Sequence, residues 1–589
     1  MSDFKVWAPG AQKVNLVLDS GSDLSASSSN RLQLNRSEGG WWDLSLSGED
    51  ERDYAFSIDG GKLLPDPRSA WQPYGIHGPS RTLDHSKFVW HDRRWQPPPL
   101  PSAILYELHI GTFTQEGTFE SAIPNLEHLV RLGITHVELM PVAEFPGTRG
   151  WGYDGVDLFA PHHGYGGPEG LKRFVGACHS KGLAVLLDVV YNHLGPDGNY
   201  LGCFGPYFTD KYSTPWGKAL NLDGPGSKEV RRFFCDNARM WLRDYHFDGL
   251  RLDAVHAIYD SSAIHFLEQL AAEIEELGIE TGRHFDLIAE NDWNDPRVVT
   301  SVEAGGYGFD AQWNDDFHHA LHTVLTGEHL GYYSDFGKLE DLAAALRNVY
   351  VYGGRESKYR QRIQGRPVLG LPAHRFVGFL QNHDQVGNRA KGERSSHLLN
   401  TRQLKIGAAL ILCSPFLPLL FQGEEYGAST PFLYFTDHGD PELAAAVSKG
   451  RREEFASFGW KSDDIPDPQQ ESSFTSSKLD WNELGQPPHE ELLDWHRSLI
   501  SLRRSTPALQ QGSLDHLSVE FSERDSWLSL YRQSVAVICN FSPLHRTIPV
   551  RLSGQPVLSS SPTFALKEQV VELPSESVLI LIADPLACG

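Results

Sequence analysis

The 589-residue chain predicts an α/β protein: a (β/α)8 TIM barrel carrying an N-terminal β-sandwich and a C-terminal antiparallel β-domain. Three observations predict it. Buried apolar runs alternate with helical stripes through residues 103–505, as a barrel of parallel strands requires. Period-two segments flank that region on both sides, within 1–94 and 512–589. Three of the buried runs close on an acid, at Asp253, Glu290 and Asp384, and strand ends are where such barrels carry their chemistry.

In the N-terminal part Phe4 and Val6, then Val14, Leu16 and Leu18, then Leu44 and Leu46, then Tyr54, Phe56 and Ile58 alternate with polar residues. Gly, Ser and Asp clusters separate these runs, which describes short antiparallel strands, and Ser25 to Ser29 reads as a loop. The tract Trp95-Gln96-Pro97-Pro98-Pro99-Leu100-Pro101 follows. Four prolines in its last five positions cannot sustain a helix or a central strand, so it is a stiff linker and a domain boundary.

The barrel strands are then expected in order at 104–110, 137–142, 183–190, 249–252, 286–290, 310–313, 376–384 and 417–421. Helical stripes lie between them, as at Phe119, Ala122, Ile123, Leu126 and Leu129, and at Val230, Phe233, Phe234, Trp241 and Leu242. A helix over 492–502 closes this region. Runs such as Val535-Ala536-Val537-Ile538 and Val578-Leu579-Ile580-Leu581-Ile582 return to a strand pattern.

Composition narrows the function. A net charge of -24 argues against nucleic acid and against anionic membrane surfaces, and suits an uncharged ligand. Fifteen tryptophans offer faces for sugar rings, although a tryptophan is more often plain core. The six cysteines are scattered with no CxxC pair, and are expected to be reduced thiols. The N-terminus carries no basic segment followed by an apolar core, and no run approaches the roughly 18 apolar residues that span a bilayer. A cytoplasmic protein is expected.

The acids carry the chemistry. Glycosidic bonds are broken by a carboxylate and a carboxylic acid on opposite sides of the anomeric carbon, about 5–5.5 Å apart when configuration is retained. Asp253 is the candidate nucleophile, because Arg251 shares its strand face and can keep it ionised. Glu290 is the candidate general acid, its pKa raised by a partly desolvated position. Asp384 would accept hydroxyl hydrogen bonds and favour an oxocarbenium-like transition state, and His193 and His383 could donate to the same sugar.

The runs Asp188-Val189-Val190-Tyr191-Asn192-His193, Gly249-Leu250-Arg251-Leu252-Asp253, Ala289-Glu290-Asn291-Asp292 and Gln381-Asn382-His383-Asp384 resemble, in order, the four signature regions of the α-amylase superfamily. Trp151-Gly152-Tyr153-Asp154-Gly155 is similar to the segment that carries its aromatic platform, which implies Tyr153 beneath the cleaved sugar. Phe4-Lys5-Val6-Trp7-Ala8-Pro9 and Tyr106-Glu107-Leu108-His109-Ile110-Gly111-Thr112-Phe113-Thr114 are similar to the sandwich and the first barrel strand of its branching and debranching members.

Four further segments resemble the trehalose-releasing hydrolases of that superfamily. They are Trp313 to His319, Phe421 to Tyr426, Thr430 to His438, and Asp464 to Gln469. This resemblance implies retaining cleavage of the α-1,4 bond next to the terminal trehalose of maltooligosyl trehalose. It implies action after a maltooligosyltrehalose synthase, and no cofactor. It also implies a groove lined by Arg251 to His256, by Asp315, Asp316, Phe317, His318 and His319, and by His383, Gln385 and Asn388. One departure stands out: Asn291-Asp292-Trp293-Asn294 follows the acid, where many relatives have a histidine and an arginine.

No metal is expected. Adjacent histidines such as His162-His163 and His318-His319 converge poorly on one ion. The calcium that some amylases hold after the third strand is not expected either, since only residues 194–226 intervene there. The alternatives are a glucan branching or debranching enzyme with the same three carboxylates, and a non-catalytic glucan-binding barrel. Such a binding barrel typically lacks one of the acids, and this chain has all three.

Overall fold

The computed structural model describes residues 2–18, 31–47, 51–456 and 465–583. The loop expected at Ser25 to Ser29, Asp464 and Cys588 lie outside the described residues.

Eight parallel strands close into a barrel: β1 (Leu105–Leu108), β2 (His136–Leu139), β3 (Ala184–Val189), β4 (Gly249–Leu252), β5 (Asp286–Ala289), β6 (Ala311–Trp313), β7 (Phe376–Gly378) and β8 (Leu417–Phe421). β8 pairs back onto β1 through Leu419–Leu105 and Phe421–Glu107. Every residue of these strands is buried. Such strands are covered on both faces and therefore read as apolar runs, which is why they were visible in the sequence.

Two expected elements differ. The seventh strand ends at Gly378, and His383–Gly387 is a short helix capped by Asn382, whose side chain accepts the Gln385 N–H at 2.7 Å. Asp384 therefore sits in a helical first turn, not at a strand end. The stripe over 119–129 is interrupted: Phe119–Ala122 and Leu126–Leu132 are helices joined by a 3-10 turn at Ile123–Asn125. Pro124 lacks an N–H and is tolerated only at the start of a turn.

The N-terminal strands form two antiparallel sheets. One pairs Ser2–Trp7 with Trp41–Leu46, and the other is built on Val14–Leu18 and Asp53–Ile58. The C-terminal segment forms a five-stranded antiparallel sheet that includes Val535–Asn540 and Ser577–Ala583, with a three-stranded sheet beside it. One continuous apolar cluster runs from Phe4 through the barrel's outer layer to Ile580. Among the described residues no helix is long and apolar enough to cross a membrane.

Candidate active site

Arg251 organises the site. Its guanidinium is fully buried on β4 and lies 4.0 Å from the centre of the Trp313 ring on β6. Nη1 donates to Asp188 Oδ2 at 2.8 Å and to Asp253 Oδ1 at 2.9 Å, while Nη2 donates to Glu290 Oε2 at 2.9 Å. One cation thus gathers the acids that end β4 and β5 and the Asp188 carboxylate of β3.

The backbone helps. Ala254, directly after Asp253, adopts φ +39°, a region that a residue with a Cβ enters only at a cost. That turn aims the Ala254 N–H at Glu290 Oε2, 2.9 Å away. Gly152, at φ +98°, passes so close to Pro141 that an added Cβ would lie 2.2 Å from its carbonyl oxygen, and this close approach sets the position of Tyr153.

The same surroundings act oppositely on the two strand-end acids. Burial alone would raise Asp253, but Arg251, His193, the Asn192 amide at 2.7 Å and the nearby Glu290 carboxyl together hold it below the usual carboxylate range. Burial pushes Glu290 well above that range; Arg251 opposes the rise, and Asp253, Asp384 and Asp315 add to it. One acid is thereby kept ionised beside another that keeps its proton, the division of labour that paired carboxyl chemistry needs.

Tyr153 and His383 form a stacked pair, with ring centres 5.0 Å apart, under the acids. The Tyr153 hydroxyl donates to Asp188 Oδ2 at 2.6 Å and lies 2.7 Å from His383 Nε2. His383 Nδ1 faces Glu107, a carboxylate that can only accept. Both imidazole nitrogens therefore donate, which agrees with a His383 pKa that burial lowers but Glu107 and Asp384 together bring above its ordinary value.

These groups open onto a cleft of about 950 Å³. Of the residues expected from the sequence, Asp253, Glu290 and Asp384 line it together with Tyr153, His193, His256, Asp315, His319, His383, Gln385 and Asn388. Arg251 lies beneath it. Asp316, Phe317 and His318 do not line the cleft: Asp316 accepts the Tyr352 N–H at 2.6 Å, Phe317 packs on Phe416, and His318 reaches Tyr333. In the helix Asp315–Thr326, Asp315 and His319 stand about one turn apart on the face toward the cleft, while Asp316, Phe317 and His318 are engaged by Tyr352, Phe416 and Tyr333.

Residues that the sequence reading passed over complete the walls. Trp216 stands at the turn of a hairpin, Phe208–Thr214 with Gly217–Leu220, and its half-exposed ring stacks on His193 at 4.8 Å. Tyr359 and Arg360 come from a second hairpin, in which Arg360 grips Asp292 at 2.6 Å. Arg451 comes from the helix Pro441–Ala456. The Pro215-Trp216-Gly217 turn was the available signal for the first of these.

Among the described residues, two other clusters have donors that suit a metal. Glu144, His162 and His163 converge, and so do His284, Asp286 and Asp310. In the first, His162 Nδ1 accepts the Gly164 N–H at 3.1 Å and His163 Nδ1 lies 2.7 Å from Glu144, so these donors are already engaged in the protein. The second lies at the opposite end of the barrel, where β5 and β6 begin.

A barrel whose strand ends deliver paired carboxyls held by one arginine defines a glycoside-bond-processing class. In agreement, the α-amylase catalytic-domain family model matches residues 91–202, and carbohydrate-binding module 48, the isoamylase N-terminal domain, matches residues 2–75. The malto-oligosyltrehalose trehalohydrolase of Arthrobacter ramosus is 51% identical over 86% of this chain and 87% of its own length. That of Mycobacterium tuberculosis is 46% identical over 99% of both chains. A crystal structure of a putative α-amylase from Salmonella typhimurium superposes with a TM-score of 0.90 at 37% identity, over 99% of this chain and 97% of its own. The chain belongs to the malto-oligosyltrehalose trehalohydrolase family.

Proposed function

We propose that the protein is a retaining glycoside hydrolase that cleaves the α-1,4-glucosidic bond next to the terminal trehalose of maltooligosyl trehalose and releases trehalose. The observation that carries the chemistry is the Arg251 bridge. It holds Asp253 and Glu290 on the two terminal nitrogens of one guanidinium, each at 2.9 Å, so both carboxyls are drawn to one centre, as a nucleophile and its proton donor require. The choice of substrate is supported by the full-length likeness to trehalohydrolases.

In this reading Asp253 attacks the anomeric carbon while Glu290 gives its proton to the departing oxygen, and trehalose leaves. A covalent maltooligosyl–enzyme ester remains. Glu290, now ionised, takes a proton from water, which attacks the same carbon and frees Asp253 with retained configuration. Asp384, its side chain 38% exposed and braced by Asn388 at 3.0 Å, accepts from ring hydroxyls. Tyr153 supplies the apolar floor.

The proposal includes a β-sandwich at 1–94, the catalytic barrel at 103–505 and a β-domain at 512–589. It also includes a cytoplasmic setting, which unpaired Cys178, Cys203, Cys235, Cys413 and Cys539 support, and a maltooligosyltrehalose synthase as the preceding enzyme. The test is product analysis. Purified protein given maltooligosyl trehalose is expected to release trehalose, with the new reducing end appearing first as the α-anomer by proton NMR. New α-1,6 branches, glucose as main product, an initial β-anomer, or binding without turnover would each overturn it.

A further inference from the structure

Beneath the cleft lies a layer of buried charge that includes a carboxyl this chemistry does not use. Glu107 on β1 and Glu138 on β2 are register partners, so their side chains share the barrel's inner face. Glu107 is occupied by His383. Glu138 is 1% exposed, and neither of its carboxyl oxygens has a hydrogen-bond partner among the described residues. An ionised carboxylate so placed would be one of the costliest groups a fold can bury.

The charged groups that face it are Glu107 from β1, Asp188 from β3 and Arg251 from β4. Burial and Glu107 push its carboxyl well above the usual range, Arg251 opposes them, and Asp188 adds to the rise. Two more buried polar atoms without partners lie at Arg251: its own Nε, and Nε1 of Trp313, whose ring stacks on the guanidinium. Both are N–H groups that can only donate, so neither can satisfy the other. A water molecule accepts two hydrogen bonds and donates two, so one lodged among these unpartnered groups inside the barrel would satisfy both N–H donors and a Glu138 oxygen.

We propose that Glu138 is an uncharged positioning residue for Arg251, joined to the guanidinium Nε through a buried water beside the Trp313 indole. Arg251 Nη1 and Nη2 hold the two acids above, so an anchor at Nε fixes the rotation of the whole fork and with it the spacing of Asp253 and Glu290. With Glu138 neutral, the layer carries one anion fewer: His383 answers Glu107, and Arg251 is shared by Asp188 and Asp253 with no third carboxylate to offset.

The assay rests on the hydrolase reading; the crystallographic arm below does not. Glu138→Gln keeps a neutral group with both hydrogen-bonding functions. It is expected to hold kcat/KM within about threefold of wild type and to leave both limbs of the pH profile in place. Glu138→Leu removes the anchor. It is expected to lower kcat about 10–100-fold with little change in KM, the scale seen when an outer partner of a reacting group is lost. It should also move the acid limb upward, because a loosened Arg251 no longer holds Asp253 down.

A limb shifted in Glu138→Gln would mean that Glu138 carries charge, and would overturn the proposal. Lower thermal stability of Glu138→Leu with unaltered kcat and limbs would also overturn it, since packing alone predicts that result. Should Glu138→Leu not fold, a crystal structure of the wild-type protein decides: density for a water within hydrogen-bonding distance of both Glu138 and Arg251 Nε is expected, and a dry contact overturns the proposal. If wild-type protein releases no trehalose, the functional reading falls while this density still decides the role of Glu138.

Discussion

The two ends of the barrel use buried charge in opposite ways. At the lower end Asp248, fully buried just before β4, has both oxygens served. Oδ1 accepts from Trp95 Nε1 at 2.8 Å and from Arg283 Nη2 at 2.7 Å, while Oδ2 accepts the Val185 N–H at 2.8 Å and faces His179 Nε2 at 3.0 Å. Asp92 continues the chain, bridging His179 and His246 at 2.8 Å each. At the upper end Glu107, Asp188, Asp253, Glu290 and Asp384 crowd around Arg251 and His383. Where positive partners match acids, burial stabilises. Where acids outnumber them, one carboxyl must keep its proton, and that retained proton is what the proposed chemistry uses.

Substitution can separate the two ends. The largest effect is expected from Glu290→Gln: kcat should fall by about 10²–10⁴ or more, with the melting temperature unchanged or raised. Unaltered turnover would remove Glu290 from the chemistry. Asp248→Asn should do the reverse and cost about 3–5 kcal/mol of stability by breaking a buried pair, while kcat per folded molecule stays near wild type. Denaturant unfolding and active-site titration together read that contrast.

Proton titration sharpens the comparison. Asp253 is lowered and Glu290 raised, so kcat/KM should rise through an acid limb below the ordinary carboxylate value of about 3.9 and fall through an alkaline limb well above about 4.3. Stability should follow the lower end. His179, pulled down by burial but raised further by Asp248 and Asp92, contributes fully below about pH 6.5, and that contribution is lost as pH rises through its folded value. Burial raises Asp248, but His179 and Arg283 lower it by more. Its contribution is present above about pH 3.9 and lost as pH falls through the folded value. An optimum of stability between these limits is expected from thermal melts across pH, and a profile flat through both would disprove the coupling. The smallest effect belongs to the cleft wall: Trp216→Ala should raise KM about 3–10-fold with kcat little changed, the worth of one aromatic face.

The barrel was legible because all of its strands are buried and the stripes between them keep helical spacing. Asp253 and Glu290 were legible because each follows such a strand without a gap. Asp384 was placed on the right segment but in the wrong element, since Phe379 and Leu380 continue the apolar run beyond the last ladder bond at Gly378. The groove was over-read at Asp316 to His318, where a contiguous motif hides the fact that a helix shows only one face. Trp216, Tyr359 and Arg451 were missed for a different reason. They stand on excursions from the barrel, and what brings them together is the packing of distant segments, which leaves no periodicity in the chain.

The N-terminal sandwich is wedged into one of those excursions. Trp7 packs edge-on against Tyr207 with ring centres 5.3 Å apart, and Gly205 passes so near that an added Cβ would lie 2.6 Å from the indole. The hairpin bearing Trp216 starts at Phe208, the next residue after Tyr207. The sandwich therefore works as a buttress for the mouth of the groove and is no detachable accessory. Replacing the sandwich would disturb the packing under the Tyr207–Phe208 junction from which the Trp216 hairpin springs.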